Sequence, residues 1–355
     1  MKQKRFYFSV FAIGLTIAFI LLIGASGVLY LYLQTQQKNL SEPRVVETSQ
    51  QFETLWEISC YIKNADRNLI ATNEAAIWIG DNVPRAAKDL SASLLTSVSL
   101  STGTPNWQAP NQISGRFAHN SSYVYGGNST GEIIAYEIST GEIVWQTELP
   151  VGKSVYQIAA TEISVFVNMV PASFYRLDAA TGTIQSTRPA EEASPIFFMD
   201  DNVMYWQPLP LYLQALDTQA SRVLWQAELI NPFDEAPVFA NGLILVRLRT
   251  GYLYVLESST GTVVWSTPHT EEDKLASHVA VSNGVVYFLS KDAHLRALDV
   301  YTGTLLGEVK IGSSLLELPE HDYFNFPFEV AASNDRILVY FGDTQQLFGF
   351  HFVRH

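Results

Sequence analysis

Residues 253–265 read LYVLESSTGTVVW, and the same pattern returns along the chain. IIAYEISTGEIVW occupies residues 133–145, LTSVSLSTGTPNW residues 95–107 and LQALDTQASRVLW residues 213–225. Two further copies, FYRLDAATGTIQS from Phe174 and LRALDVYTGTLLG from Leu295, keep the acid and the Thr-Gly but lose the final Trp. The turn positions Gly103, Gly141, Gly182, Ser221, Gly261 and Gly303 recur about every 40 residues, a period that predicts propeller blades and not a helical solenoid.

Each unit reads as four strands. In the fifth they fall at 236–240, 243–247, 253–257 and 262–267. Thr-Gly joins the last two, because glycine takes the positive φ of a tight turn and the preceding acid can cap its amides. The repeated Trp107, Trp145, Trp225 and Trp265 are expected to pack between neighbouring blades, where an indole buries a large area. Two fragments settle the number of blades. LFGFH at 347–351 fits a third strand with no chain left for a fourth, and TLWE at 54–57, containing Trp56, is a fourth strand with no blade before it. The N-terminal strand is therefore expected to complete the last sheet, closing an all-β, seven-bladed propeller.

Ahead of the repeats, residues 6–33 carry no charge. As a helix of about 1.5 Å rise per residue they would extend about 42 Å, enough for a hydrocarbon core of about 30 Å. Lys2, Lys4 and Arg5 precede the segment, which places the N-terminus in the cytoplasm and the repeats across the membrane. Gly24, Ala25 and Ser26 are small enough for a signal-peptidase site, but the apolar run continues to Leu33 and favours an uncleaved anchor. The expected organisation is a cytoplasmic stretch at 1–5, a single-pass transmembrane signal anchor at 6–33, a polar stalk at 34–51 and an extracytoplasmic propeller at 52–355. The bilayer is thus one partner, through residues 6–33.

The chain has 355 residues and a net charge of −13, and removing the three N-terminal cations leaves the external part more acidic still. That excludes nucleic acid as the main partner, since phosphate binding needs a basic surface. A single cysteine, Cys60, allows no intramolecular disulfide. There is no phosphate loop and no H-E-x-x-H, and no catalytic constellation and no metal site is assigned. His351 and His355 lie four apart, but in a tail and not on a helix. The triplets at Asn39, Asn120 and Asn128 match the glycosylation pattern and read as chance. The acidic runs at 191–192 and 271–273 read as solvated loop charge.

The pattern of L-x-A-L-D, two or three residues, T-G, three residues, W resembles the PQQ-like propeller repeat, over roughly residues 52–352. That repeat is shared by quinoprotein alcohol dehydrogenases and by the BamB-type propeller of the bacterial outer-membrane assembly machinery. The dehydrogenases of this resemblance carry a vicinal disulfide and a calcium ion; one cysteine excludes the first, and no acid–amide set has calcium-loop spacing. The resemblance therefore implies the non-enzymatic branch, no cofactor, and a protein-interaction scaffold or accessory subunit of an envelope or membrane complex. The alternative is a small-ligand-binding or quinone-dependent enzyme or sensor that uses the central channel.

Strand alternation puts the longest insertions, at 81–90, 230–235, 268–275 and 312–327, on the face opposite the Thr-Gly turns. The last contains EHDYFNFPF, whose Tyr323, Phe324, Phe326 and Phe328 are candidate partner anchors, because aromatic side chains carry much of an interface's energy. The alternative is that these rings fold back over the central channel as a plug.

Overall fold

Asn-Gly at 241–242 and at 283–284 supplies positive φ at both turn positions, the geometry that matches the twist of an antiparallel hairpin. Around the first of these turns, Val238–Ala240, Leu243–Arg247, Leu253–Glu257 and Val263–Ser266 pair in chain order to make blade 5. In the computed structural model the described residues are 51–62, 69–81, 94–110, 113, 117–128, 130–150, 154–170, 173–189, 197–200, 203–217, 222–233, 237–268, 270, 272–311 and 328–354. They form seven antiparallel sheets: blade 1 at 61–110, which has five strands, and blade 2 at 117–148, blade 3 at 154–189, blade 4 at 197–228, blade 5 at 238–266, blade 6 at 280–310 and blade 7, each with four. The chain divides into two units, Met1–Arg44 and Val45–His355. The first unit, with the expected anchor at 6–33 and most of the stalk, lies outside the described residues. Among the described residues no helix is long and apolar enough to cross a membrane.

The first strands of neighbouring blades lie against one another and ring the axis. Second strands, covered on both faces by adjacent blades, are buried throughout in blade 5 (LILVR) and blade 6 (VVYFL). Fourth strands are outermost and largely exposed, as in IVWQTE of blade 2. Blade 7 takes Phe328–Ser333, Arg336–Phe341 and Gln346–Phe352 from the C-terminus and its fourth strand, Phe52–Ser59, from the N-terminus. Phe52 pairs with Phe352 and Ser59 with Gln346. The chain thus enters the fold on the same face as the Thr-Gly turns.

Those turns are built alike. In blade 3 the Gly182 amide donates to the Asp178 carbonyl (2.9 Å), while Asp178 Oδ1 accepts from the amides of Ala180 and Thr181 and from Thr181 Oγ1. Asp299 does the same in blade 6 with Tyr301 and Thr302. Glu137 and Glu257, one methylene longer, accept from Thr140 and Thr260 hydroxyls. Hydrogen bonds from Thr181, side chain first, hold the Asp178 carboxyl below its ordinary pKa.

Beyond each turn the ladder slips by one residue just before the tryptophan position, and this bulge re-aims the side chain. Each indole then lies on the turn glycine of the next blade: Trp56 on Gly103, Trp107 on Gly141, Trp145 on Gly182, Trp225 on Gly261 and Trp265 on Gly303. Its Nε1 donates to the carbonyl three residues before that glycine, at 2.8–3.0 Å in all five cases, to Leu100, Ile138, Ala179, Ser258 and Val300.

Gly182 is held at φ +69, and a Cβ there would meet Trp145 Cε3 at 2.5 Å; Gly242, at φ +77, has nothing within 4 Å. Gly242→Ala is expected to lose about 1 kcal/mol from left-handed strain alone. Gly182→Ala adds overpacking of the seam and should lose about 2–4 kcal/mol. Urea unfolding of the two variants checks both figures; equal losses would mean that the indole contact is not tight.

Candidate functional site

The antiparallel register directs the connections that follow each second and fourth strand to the face opposite the Thr-Gly turns. Of the sequence's candidate anchors there, Tyr323, Phe324 and Phe326 lie outside the described residues. Phe328 is in the first strand of blade 7, 3% exposed, with its ring edge-on to Phe341 at 5.7 Å. It is a core side chain with no surface to offer a partner. It belongs to the strand FEVAAS, whose Phe328, Glu329, Val330 and Ala331 are all buried.

Among the described residues, this face exposes two aliphatic side chains of blade 4. In blade 4, Leu209 stands on the loop between the second and third strands and Ile230 just after the fourth, 60% and 58% exposed. The amide of Leu229 donates to the Leu211 carbonyl (2.7 Å), which ties the two loops together. Phe233 turns inward into the core of blades 4 and 5, and its carbonyl accepts from Gln207 Nε2 (2.9 Å). The same loop therefore has a firm inner side and an apolar outer one. Sequence reasoning passed over Leu209 and Ile230, because a single exposed leucine or isoleucine has no sequence mark.

Charge on this face is paired more than the sequence suggested. Asp273, expected to be solvated, accepts from Arg296 Nη1 at 2.8 Å; Arg296 also donates to Asp292 (2.7 Å) and Glu308 (3.2 Å). His294 lies 3.0 Å from Asp292. One guanidinium fixes the connection between blades 5 and 6 to the third strand of blade 6. Nearer the axis, His278 Nδ1 is 3.2 Å from Glu329 Oε2 and both residues are buried, which links blades 6 and 7. Among the described residues no group of three His, Cys, Asp or Glu is arranged to hold a metal. His351 sits in the third strand of blade 7, 3.6 Å from Glu53. His355 lies outside the described residues.

The Thr-Gly face carries a depression of about 1050 Å³ between blades 1 and 2. Its walls are the turns at 72–75 and 99–106 of blade 1 and at 121–122 and 137–139 of blade 2, with Arg336 of blade 7 at one side. Beside it, the Asn120 side chain is buried, with Nδ2 donating to Tyr125 Oη and Oδ1 accepting from the amides of Ser122 and Tyr123. It is a turn residue, as the chance reading of its triplet requires.

Comparison with known proteins gives the following. The model of the family described as outer membrane protein assembly factor BamB matches residues 91–203 and 212–315. The outer membrane protein assembly factor BamB of Yersinia pestis is 25% identical over 256 residues, 65% of this chain and 64% of that one. The protein of the same description from Moranella endobia is 19% identical over 231 residues, 58% and 56% of the two chains. The match thus spans less than two thirds of the length of either relative. The crystal structure of BamB from Moraxella catarrhalis aligns with a TM-score of 0.50 at 13% identity, and a computationally designed protein, Ika8, at 0.54 and 11%. Each covers 85% of this chain and the whole of the other; the likeness is one of fold.

Burial raises the phenol pKa of Tyr125, Tyr287 and Tyr340 above the usual 10.0, and burial lowers that of His119 below 6.5. The raised tyrosines stabilise the fold fully below pH 10, and that stability is lost as pH rises above it. The lowered histidine stabilises above pH 6.5 and loses its contribution as pH falls. Burial also raises the Cys60 thiol above its usual 9.0, so the thermal midpoint should be flat from about pH 6.5 to 9 and fall on both sides, with His119→Gln flattening the acid limb. Scanning calorimetry across pH checks this.

Proposed function

Because the chain belongs to the family of the outer membrane protein assembly factor BamB, we propose that it is a non-catalytic accessory subunit that binds a protein partner during assembly of envelope proteins. The observation that carries this reading is the apolar pair Leu209 and Ile230 on the insertion-bearing face. Two aliphatic side chains held by hydrogen-bonded loops above a packed Phe233 form the kind of firm, desolvable patch on which interface energy concentrates. The fold supports it as well. Seven stacked sheets make a stiff support, and recognition is left to the loops. Tyr323, Phe324 and Phe326, on the connection from blade 6 to blade 7, are proposed as further anchors on the same face.

The finer part of the proposal is the membrane attachment. Residues 6–33 serve as a single-pass anchor with the N-terminus in the cytoplasm, and residues 34–51 as a stalk. The chain enters the propeller on the Thr-Gly side, the face opposite the insertions.

Two experiments check these statements. Affinity purification from native membranes with Leu209→Asp combined with Ile230→Asp is expected to lose the co-purified partner, a weakening of at least about 30-fold for a hot-spot pair, while the thermal midpoint stays unchanged. Retention of every partner sinks the assigned face. Replacing residues 6–33 by an unrelated spanning helix is expected to keep the protein in the carbonate-resistant membrane fraction and keep its partner. Loss of the partner in that variant would move the essential contact from the propeller to the helix.

A further inference from the structure

We propose that the groove between blades 1 and 2 on the Thr-Gly face is a binding site for a neutral oligosaccharide. It is a half-open trough of about 1050 Å³, at the upper end of the ~300–1,000 Å³ usual for small-molecule sites. An open trough of that size suits a short chain of rings better than one enclosed ligand.

The lining selects among ligand classes. Two carboxylates, Glu74 and Glu137, face one guanidinium, Arg336, so the net charge disfavours an anion. The guanidinium disfavours a metal cation, and Glu137 Oε2 is already held by Thr140. Only four of the fifteen lining residues are apolar, too few to reward an apolar peptide by desolvation. The other groups are alcohols, amides and carboxylates that both donate and accept. A sugar hydroxyl, itself donor and acceptor, matches that mixture.

Several of these groups are uncommitted among the described residues. Glu74, Ser122 and Ser139 are exposed, and their side chains make no hydrogen bond to another described residue. Arg336 Nη1 is buried with no acceptor among the described residues. The frame around them is fixed. Asn73 Oδ1 accepts from Ser333 Oγ and Asn334 Nδ2 of blade 7, and Glu162 of blade 3 accepts from the amide and the hydroxyl of Ser121. The turns on the two sides of the trough are thus braced from outside, whereas the trough between them stays open. Preorganised polar walls of this kind lower the ordering cost of binding.

The groove is on the opposite face from Leu209 and Ile230, so this inference and the partner reading fail independently. The test uses the full chain in detergent micelles on an array of neutral and anionic oligosaccharides, followed by calorimetry with maltotetraose, chitotetraose and inorganic phosphate as probes. A neutral tetrasaccharide is expected to bind. Glu74→Ala is expected to weaken it about tenfold, the scale of one lost charge-assisted hydrogen bond. Ser139→Trp, at an exposed turn position, should abolish binding by filling the trough without moving the thermal midpoint, and Leu209→Asp should leave it unchanged. Retention of no neutral saccharide, binding of phosphate or anionic glycans alone, or saccharide binding that survives both Ser139→Trp and Glu74→Ala each overturns the proposal.

Discussion

The fold turns on an indole laid over a glycine. At five of the seven seams a tryptophan from one outer strand covers the Thr-Gly turn of the next blade and donates to its backbone. This contact dictates most of the repeat. The turn residue must be glycine, both for its positive φ and because a Cβ would enter the ring. The bulge before the indole turns it toward the neighbour. The same bulge spoils the exposed outer edge as a template for strand pairing. Small residues in the third strand follow too: Ala135 is opposite both Tyr125 and Trp145, whose centroids are 5.8 Å apart, and Ala215 is opposite both Tyr205 and Trp225, at 5.9 Å.

The two seams without this contact have different causes. Blade 7 is closed by the chain ends and has no Thr-Gly turn to receive an indole. Gly307 stands where blade 6 would carry its tryptophan, and a Cβ there would meet Gln51 and Phe352. The amide of Val353 donates to the Gln51 carbonyl and the rings of Phe52 and Phe352 meet at 5.0 Å, so the termini clasp each other. Between blades 3 and 4, Ser186 replaces the tryptophan. There Phe166 packs with Phe174, Met204 and Trp206, a smaller cluster made by second and third strands. Nothing in the structure explains why blade 3 dispenses with the indole.

Periodicity made the propeller legible. A turn repeated six times, with an acid before it in five copies and an indole after it in four, gave the blades, and the unpaired strand near Trp56 gave the closure. Contacts distant in sequence were not legible. Phe328 reads as part of the aromatic run before it, yet it begins the strand alternation of blade 7 and its ring goes to the core. Asp273 reads as loop charge because its partner, Arg296, lies 23 residues on in the third strand of the following blade. The groove between blades 1 and 2 is assembled from five turns of three blades; two of them carry the repeated Thr-Gly turn, but nothing in that repeat marks a groove between them.

The net charge shows how easily such a chain is misread. A surplus of acid suggests a field that selects basic partners. Yet Asp178 and Asp299 are turn caps, Glu137 and Glu257 hold turn threonines, Asp273 and Asp292 bind Arg296, Glu162 holds Ser121, and Glu329 is buried against His278. These acids are built into turns and seams, where local hydrogen bonding outweighs long-range attraction. Surface charge between groups more than about 8–10 Å apart is screened at physiological salt in any case. Recognition on the insertion-bearing face then depends on short-range burial of side chains such as Leu209 and Ile230, and the acidic composition sets solubility more than partner choice.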